Sequence, residues 1–210
     1  MRRFLVVGHR AVTTPTFLLD DLPGAGGRMD LVLNAVTAAL LVSHGIRHDA
    51  EITLLLLGPP NPPRAVRFAG GEIESLNPDD RSNAALVRRA LARPSESDLK
   101  PGHPAGGDPH RMEWKASPGV YSSKRGLEEV LAETPGGVVL LVENGKDIRK
   151  ADLPRDPLFV LSDTEDLTPQ EERTVMARGA VRVALGPTSI HTSQAIAVVH
   201  NELDRREAGA

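Results

Sequence analysis

The sequence predicts an α/β fold in which a mostly parallel sheet is flanked by helices. Three observations point there. Strand-like and helix-like patterns alternate along the chain. The strand candidates are near-continuous runs of Val, Leu and Ile, as expected of strands covered on both faces. The chain has 210 residues, 40% hydrophobic and 25% charged, a composition and length that allow one globular domain with a real core and no covalent staples. Residues 1–210 are therefore read as a single domain.

The elements follow in order. Strands are expected at 3–7, 51–57, 137–142, 158–161 and 181–185. Helices are expected at 29–43, 82–92, 125–133, 169–178 and 193–206. The first helix places Leu31, Ala35, Ala38, Ala39 and Val42 roughly on one face. The second follows the turn signal Asn77-Pro78, with Asp79, Asp80 and Ser82 at capping positions. The fourth has Thr168 as a cap, Pro169 in its first turn, Glu171 and Glu172 suited to the helix dipole, and Gly179 as its stop. Between Ala92 and Pro118 the composition turns to Pro, Gly, Ser and charge with neither period, so residues 93–117 are expected to form a flexible loop.

Composition removes several chemistries. With no cysteine there is no disulfide, no Cys-ligated zinc or iron–sulfur cluster and no thiol nucleophile, and an intracellular, cytoplasmic location is expected. The histidines and carboxylates show no metal-ligand spacing, so no metal is expected. The apolar runs at 54–57 and 138–142 are far shorter than the ~20 residues of a membrane span, and the start lacks an apolar signal segment, so no membrane partner is expected. A net charge of -3 speaks against a generic polyanion binder. Yet 20 of the 25 basic residues are Arg, which fits either bidentate phosphate contacts or a GC-rich genome. Aromatics make up 3%, too few for a platform that stacks bases.

Three segments can carry chemistry. Residues 20–30, DDLPGAGGRMD, put small residues before a helix, so exposed amides and Arg28 can meet an anion or simply make a turn. Neither a dinucleotide fingerprint nor a P-loop is present there. Residues 76–91 set Asp79 or Asp80 beside Arg81, Arg88 and Arg89, giving either a well-capped surface helix or a basic face for phosphate. Residues 185–207 run from a strand end through Gly186-Pro187 into the last helix, and loops at the carboxyl ends of parallel strands are where such sheets bind ligands. His191 is a possible base there, whereas His200 falls inside the helix and reads as a packing or surface residue.

These segments, in this order, resemble the archaeal TrmY family, the tRNA pseudouridine-54 N1-methyltransferases of the SPOUT superfamily. The likeness rests on VVGH at 6–9, DLPGAGGRMD at 21–30, VSHGIR at 42–47, NPDDRS at 77–82, PGVY at 118–121, LGPTSIH at 185–191 and VHNELDRR at 199–206. It runs from residue 3 to residue 206.

The resemblance implies a deep C-terminal trefoil knot, an exception to the usual absence of knots. It also implies a homodimer, a pseudouridine-containing tRNA as substrate, and S-adenosyl-L-methionine (SAM) held by backbone loops near 140–144, 161–163 and 185–190. The cofactor contacts it implies are Leu141, Leu161, Ser162, Leu185, Gly186, Pro187, Thr188, Ser189, Ile190 and Ala195. Asp79 would orient or deprotonate the base, with Arg81 and Ser82 on the uracil edge or its phosphate. Asp21, Arg28, Asp30 and Arg88 would form the RNA-facing side. Ser162, Asp163 and Thr164 stand where the family usually has GDH, Ala195 replaces a cysteine, and Asn144 an acidic residue. None of these changes removes a nucleophile, because methyl transfer needs none from the protein. N1 of pseudouridine carries a hydrogen, since the glycosidic bond is to carbon. Placement, worth ~7–11 kcal/mol, should then outweigh a general base, worth roughly 10²–10⁴-fold. Other readings are a diverged member acting on another RNA or a free pseudouridine-like nucleoside, a non-catalytic RNA- or SAM-binding module, and a purely structural dimer.

Overall fold

The computed structural model describes residues 1–92 and 113–209. The elements run β1 (Arg2–Gly8), α1 (Met29–Leu40), β2 (Leu41–Val42), β3 (Gly45–Ile46), β4 (Ala50–Leu56), β5 (Arg64–Ala69), α2 (Asp80–Leu91) and β6 (Glu113–Ser117). They continue with β7 (Val120–Ser123), α3 (Leu127–Glu133), β8 (Val138–Asp147), β9 (Leu158–Ser162), α4 (Pro169–Ala177), β10 (Val181–Ala184) and α5 (Thr192–Glu207). The main sheet has eight strands in the order β10-β8-β9-β1-β4-β5-β7-β6. Its β10-to-β4 half is parallel, and β5, β7 and β6 extend it antiparallel. The expected α/β class with a mostly parallel, helix-flanked sheet is what the chain adopts.

Alternation along β1 shows how the layers form. Phe4 and Val6 join one core with α1, α2 and α5, through Val32, Val36, Val87, Ile196 and Val199. Leu5 and Val7 face the other side, with Val130 and Leu131 of α3 and Val175 of α4. Both sets are essentially inaccessible to solvent. Side chains of a strand alternate between faces, so a strand between two helical layers must be apolar at every position.

The structure corrects several expected elements: β5 and β7 are additions to the expected set, β8 runs Val138–Asp147 instead of 137–142, and α3 starts at Leu127 instead of 125. α1 stops at Leu40 instead of 43, because Leu41–Val42 and Gly45–Ile46 pair as a hairpin whose turn holds His44 at φ 69°. A strand absent from the expected set, β5, pairs with both β4 and β7. Of the Pro/Gly-rich segment 93–117, the part Glu113–Ser117 is strand β6, paired with β7 through a turn with Gly119 at φ 70°. Residues 93–112 lie outside the described residues.

Two further features position the site. The β8–β10 ladder jumps: Arg182 pairs with Leu140, but Val183 pairs with Lys146, so residues 141–145 are thrown out as a loop. At the opposite end of the sheet a charged network ties α5 to β1. Buried Arg2 donates to Asp204 (2.6 Å) and Glu207 (2.8 Å), and Arg47 donates to both carboxylate oxygens of Asp204 (3.0 and 2.7 Å). The pair of arginines holds Asp204 down at about 2. His200 sits inside this network as a packing residue, edge-on to Phe4.

Candidate active site

A cavity of about 550 Å³ opens where the parallel strands end. Its wall gathers the loop ejected from β8 (Leu140 to Asn144), the end of β9 (Leu161, Ser162, Asp163) and the loop after β10 (Leu185, Gly186, Thr188, Ser189, Ile190). These are the three loops the family resemblance implies, brought to one place; of the segments read from the sequence itself, only 185–207 contributes to the lining. Ala195, in the first turn of α5, closes it. Of the ten expected cofactor contacts all but Pro187 line the cavity. Pro187 lies within the same loop, exposed, and His191 caps α5 outside the lining.

Local bonds set the shape of this wall. The Thr192 hydroxyl donates to the Ser162 carbonyl at 2.6 Å, fastening α5 to the end of β9. Arg182 donates to Asn144 Oδ1 at 2.8 Å and pairs with Glu172. The amide at 144 therefore still accepts the bond a carboxylate would take. Ser189 donates to Glu143, and that bond lowers the Glu143 pKa.

The donor set suits SAM. Leu141, Leu161, Leu185, Ile190 and Ala195 offer apolar surface for an aromatic ring, next to exposed loop backbone. Glu143, Asp163, Asp166 and Glu172 outnumber the single cation Arg182 in the lining, and an acidic lining fits a ligand bearing a sulfonium and an ammonium. The Asp163 side chain is 0% exposed, and its Oδ2 has no hydrogen-bond partner.

The sequence reading missed the group beside that carboxylate. His9, just past β1, has Nε2 2.9 Å from Glu171 Oε2 and Nδ1 3.6 Å from Asp163 Oδ1. Burial opposes its charge, but the hydrogen bond to Glu171 and the two carboxylates prevail and raise its pKa. Glu171 also accepts from the Thr168 amide and hydroxyl, at 2.7 and 2.8 Å. Although burial works the other way, its pKa is lowered, by His9 first and then by Thr168.

The proposed RNA and catalytic residues form a second group at the starts of α1 and α2. Asp21 accepts from the amides of Gly24 (3.0 Å) and Ala25 (2.9 Å), so the glycine segment turns around a carboxylate instead of opening to an anion. Arg28, left-handed at φ 67°, grips Asp30 with two bonds of 3.1 Å. Its pKa is raised, first by that bond and further by the charges of Asp30 and Asp163. Arg81 pairs with Asp20, and Arg88 donates to the Pro15 carbonyl at 3.1 Å.

Asp79 is the N-cap of α2 and accepts from the Ser82 amide at 2.8 Å, a bond that lowers its pKa. Asp80 is shifted the opposite way, by burial first and then by the charges of Asp30 and Asp79. Two neighbouring carboxylates are thus driven apart, the usual sign of distinct proton-handling roles. Among the described residues no group of three or more His, Asp or Glu is placed to hold a metal ion, and no helix is long and apolar enough to cross a membrane.

A parallel sheet with a loop-lined, acidic cavity at its carboxyl edge defines the class: an α/β protein built to hold a small cationic cofactor. The family follows from comparison. Residues 1–208 match the family model described as "putative SAM-dependent RNA methyltransferase". A Methanocella arvoryzae protein named tRNA (pseudouridine(54)-N(1))-methyltransferase is 45% identical over 206 residues, covering 98% of this chain and all of its own length (100%). A Halobacterium salinarum protein of the same name is 44% identical over 204 residues, covering 97% of this chain and 96% of its own. The crystal structure of Archaeoglobus fulgidus Nep1 bound to S-adenosylhomocysteine superposes with a TM-score of 0.63, covering 99% of each chain at 15% identity, and speaks for the fold. The chain belongs to this family of SAM-dependent RNA methyltransferases.

Proposed function

We propose that this protein methylates N1 of pseudouridine, at position 54 of tRNA, using SAM. The observation that carries the reading is the convergence of the loops at 140–144, 161–163 and 185–190 on one acidic cavity, in a chain whose full-length relatives bear that name. SAM bound there supplies an electrophilic methyl group. Leu141, Leu161, Leu185, Ile190 and Ala195 would hold its adenine, with Ser162, Gly186, Thr188, Ser189 and the Pro187 turn giving the loop its backbone shape, and the carboxylates would face its cationic end.

The work of the polypeptide is then to place N1 and to receive its proton. Asp79 keeps Arg81 and Ser82 in position through its cap, and those two bind the uracil edge or its phosphate. Orienting N1 and receiving its proton fall to the carboxylates at the head of α2: Asp79, which caps the helix, and its half-buried neighbour Asp80. Asp21, Arg28, Asp30 and Arg88 line the RNA side. A C-terminal trefoil knot belongs to this reading, supported by the full-length superposition on Nep1. So do a homodimer and a cytoplasmic location, which rest on the family resemblance.

The test is methylation of T-arm RNA with labelled SAM, comparing pseudouridine with uridine at position 54. Label must enter the pseudouridine RNA alone and chromatograph as N1-methylpseudouridine. Equal labelling of both RNAs, or of neither, overturns the reading.

A further inference from the structure

His9 is far in sequence from Asp163 and Glu171, yet its ring meets both at the cavity-wall stretch 162–167. Asp163 stands at the start of that stretch and is pinned by its amide to the Val7 carbonyl (3.0 Å). Glu171 stands just beyond its end, in the first turn of α4. The His9 ring lies between the two carboxylates, and its side chain is 12% exposed. Both neighbours are acceptors when ionised, so only a ring with hydrogen on both nitrogens can serve both. A neutral ring must turn a lone pair toward one of them. At present Nδ1 is 3.6 Å from Asp163, too far for a hydrogen bond, and Nδ1 and Asp163 Oδ2 are both buried without a partner.

We propose that His9 is a positioning residue for the cofactor: as an imidazolium spanning Asp163 and Glu171, it fixes both ends of the 162–167 wall, and cofactor affinity follows its protonation. This rests on the reading that the cavity holds SAM. The charged groups around the ring are Asp163 after β9 and Glu171 on α4, with the charge of Arg28, before α1, also felt at Asp163. Thr192 holds Ser162 independently of pH, so loss of the imidazolium loosens the wall without detaching it. Against the pull of burial, Glu171 and Asp163 raise the pKa of His9 above the ordinary histidine value, which agrees with the role.

S-adenosylhomocysteine, which lacks the sulfonium charge, is the probe, and its binding is measured by calorimetry from about pH 6 to about pH 9. Wild-type affinity should fall about tenfold through the His9 titration, the weight of one charge-assisted hydrogen bond. His9→Gln should bind weakly at every pH, with a flat profile once the ligand's own ionisation is subtracted. Glu171→Gln keeps the helix cap but removes a charge, and should move the wild-type fall to lower pH. Nitrogen NMR of the wild-type imidazoles gives a readout that needs no variant. If the protonated form binds better, saturating ligand must raise the His9 pKa, because linkage is reciprocal.

Superimposable wild-type and His9→Gln profiles, or a His9 pKa unmoved by ligand, overturn the His9 role while leaving the cavity assignment intact. Absence of S-adenosylhomocysteine binding to the wild type overturns the cavity assignment, and this role with it.

Discussion

Gly145 lies directly against the backbone of Val183. A methyl group on its Cα would sit 2.5–2.7 Å from the Val183 carbonyl carbon, nitrogen and Cα. This contact occurs where the β8–β10 ladder resumes after the ejected loop, so the glycine lets the cofactor loop leave the sheet and return. Main-chain atoms cannot move aside as a side-chain tip can. Gly145→Ala should therefore destabilise the protein by about 1–3 kcal/mol or more, lowering Tm by roughly 2–4 °C per kcal/mol for a chain of this size. Calorimetric melting checks it, and an unchanged Tm would mean the ladder is looser than drawn.

The two carboxylates at the head of α2 should separate by substitution. Asn caps a helix about as well as Asp, so Asp79→Asn should leave Tm unchanged, whereas Asp79→Ala should cost about 1 kcal/mol. Asp80→Asn should instead lower kcat by at least about 10²-fold at saturating tRNA, with S-adenosylhomocysteine affinity preserved. Parental turnover in Asp80→Asn would remove it from the proton path.

His200 makes stability depend on pH. Burial lowers its pKa to about 4, and the positive charges of Arg47 and Arg2 act in the same direction. Its Nε2 lies 3.0 Å from the Ala39 carbonyl, so the neutral ring donates there. In the unfolded chain it titrates near about 6.5. Between those values the unfolded state binds the extra proton, so the contribution is complete above the unfolded value and is lost as pH falls toward the folded one. The loss is of order 3 kcal/mol. Urea unfolding near neutrality and near about pH 4.5 should show it, and His200→Gln should flatten the dependence over this range.

Thr192→Val replaces a hydroxyl by a methyl of similar size and removes the bond to the Ser162 carbonyl. Stability should drop by about 1 kcal/mol, and S-adenosylhomocysteine should bind more weakly, because the end of β9 loses its tie to α5. Calorimetric titration decides the second point. Unchanged affinity would show that the wall is held without that bond.

The parallel half of the sheet was legible because burial on both faces leaves an unbroken apolar signature, as in β1, β4 and β9. The antiparallel half was not. In β5, Arg64 and Arg67 interrupt the run, and nothing local indicates that Arg64 is buried, with its guanidinium 4.9 Å from the centre of the Trp114 ring. β6 and β7 hide beside Pro and Gly, and their pairing shows only in three dimensions. Of the cavity's loops, 185–190 was readable from its strand end, whereas 140–144 and 161–163 came only through the family resemblance. His9 escaped because its partners, Asp163 and Glu171, come from the far end of the chain. The available hint was a histidine closing a strand and a glutamate inside a capping box.

The grip of Arg2 on Asp204 has a consequence for folding. Asp49, near in sequence, also faces the Arg2 guanidinium at 3.2 Å, but the bond to Asp204 joins residues 202 positions apart. The charge network is therefore complete only when α5 docks against the start of β1, and such long-range closure is slow.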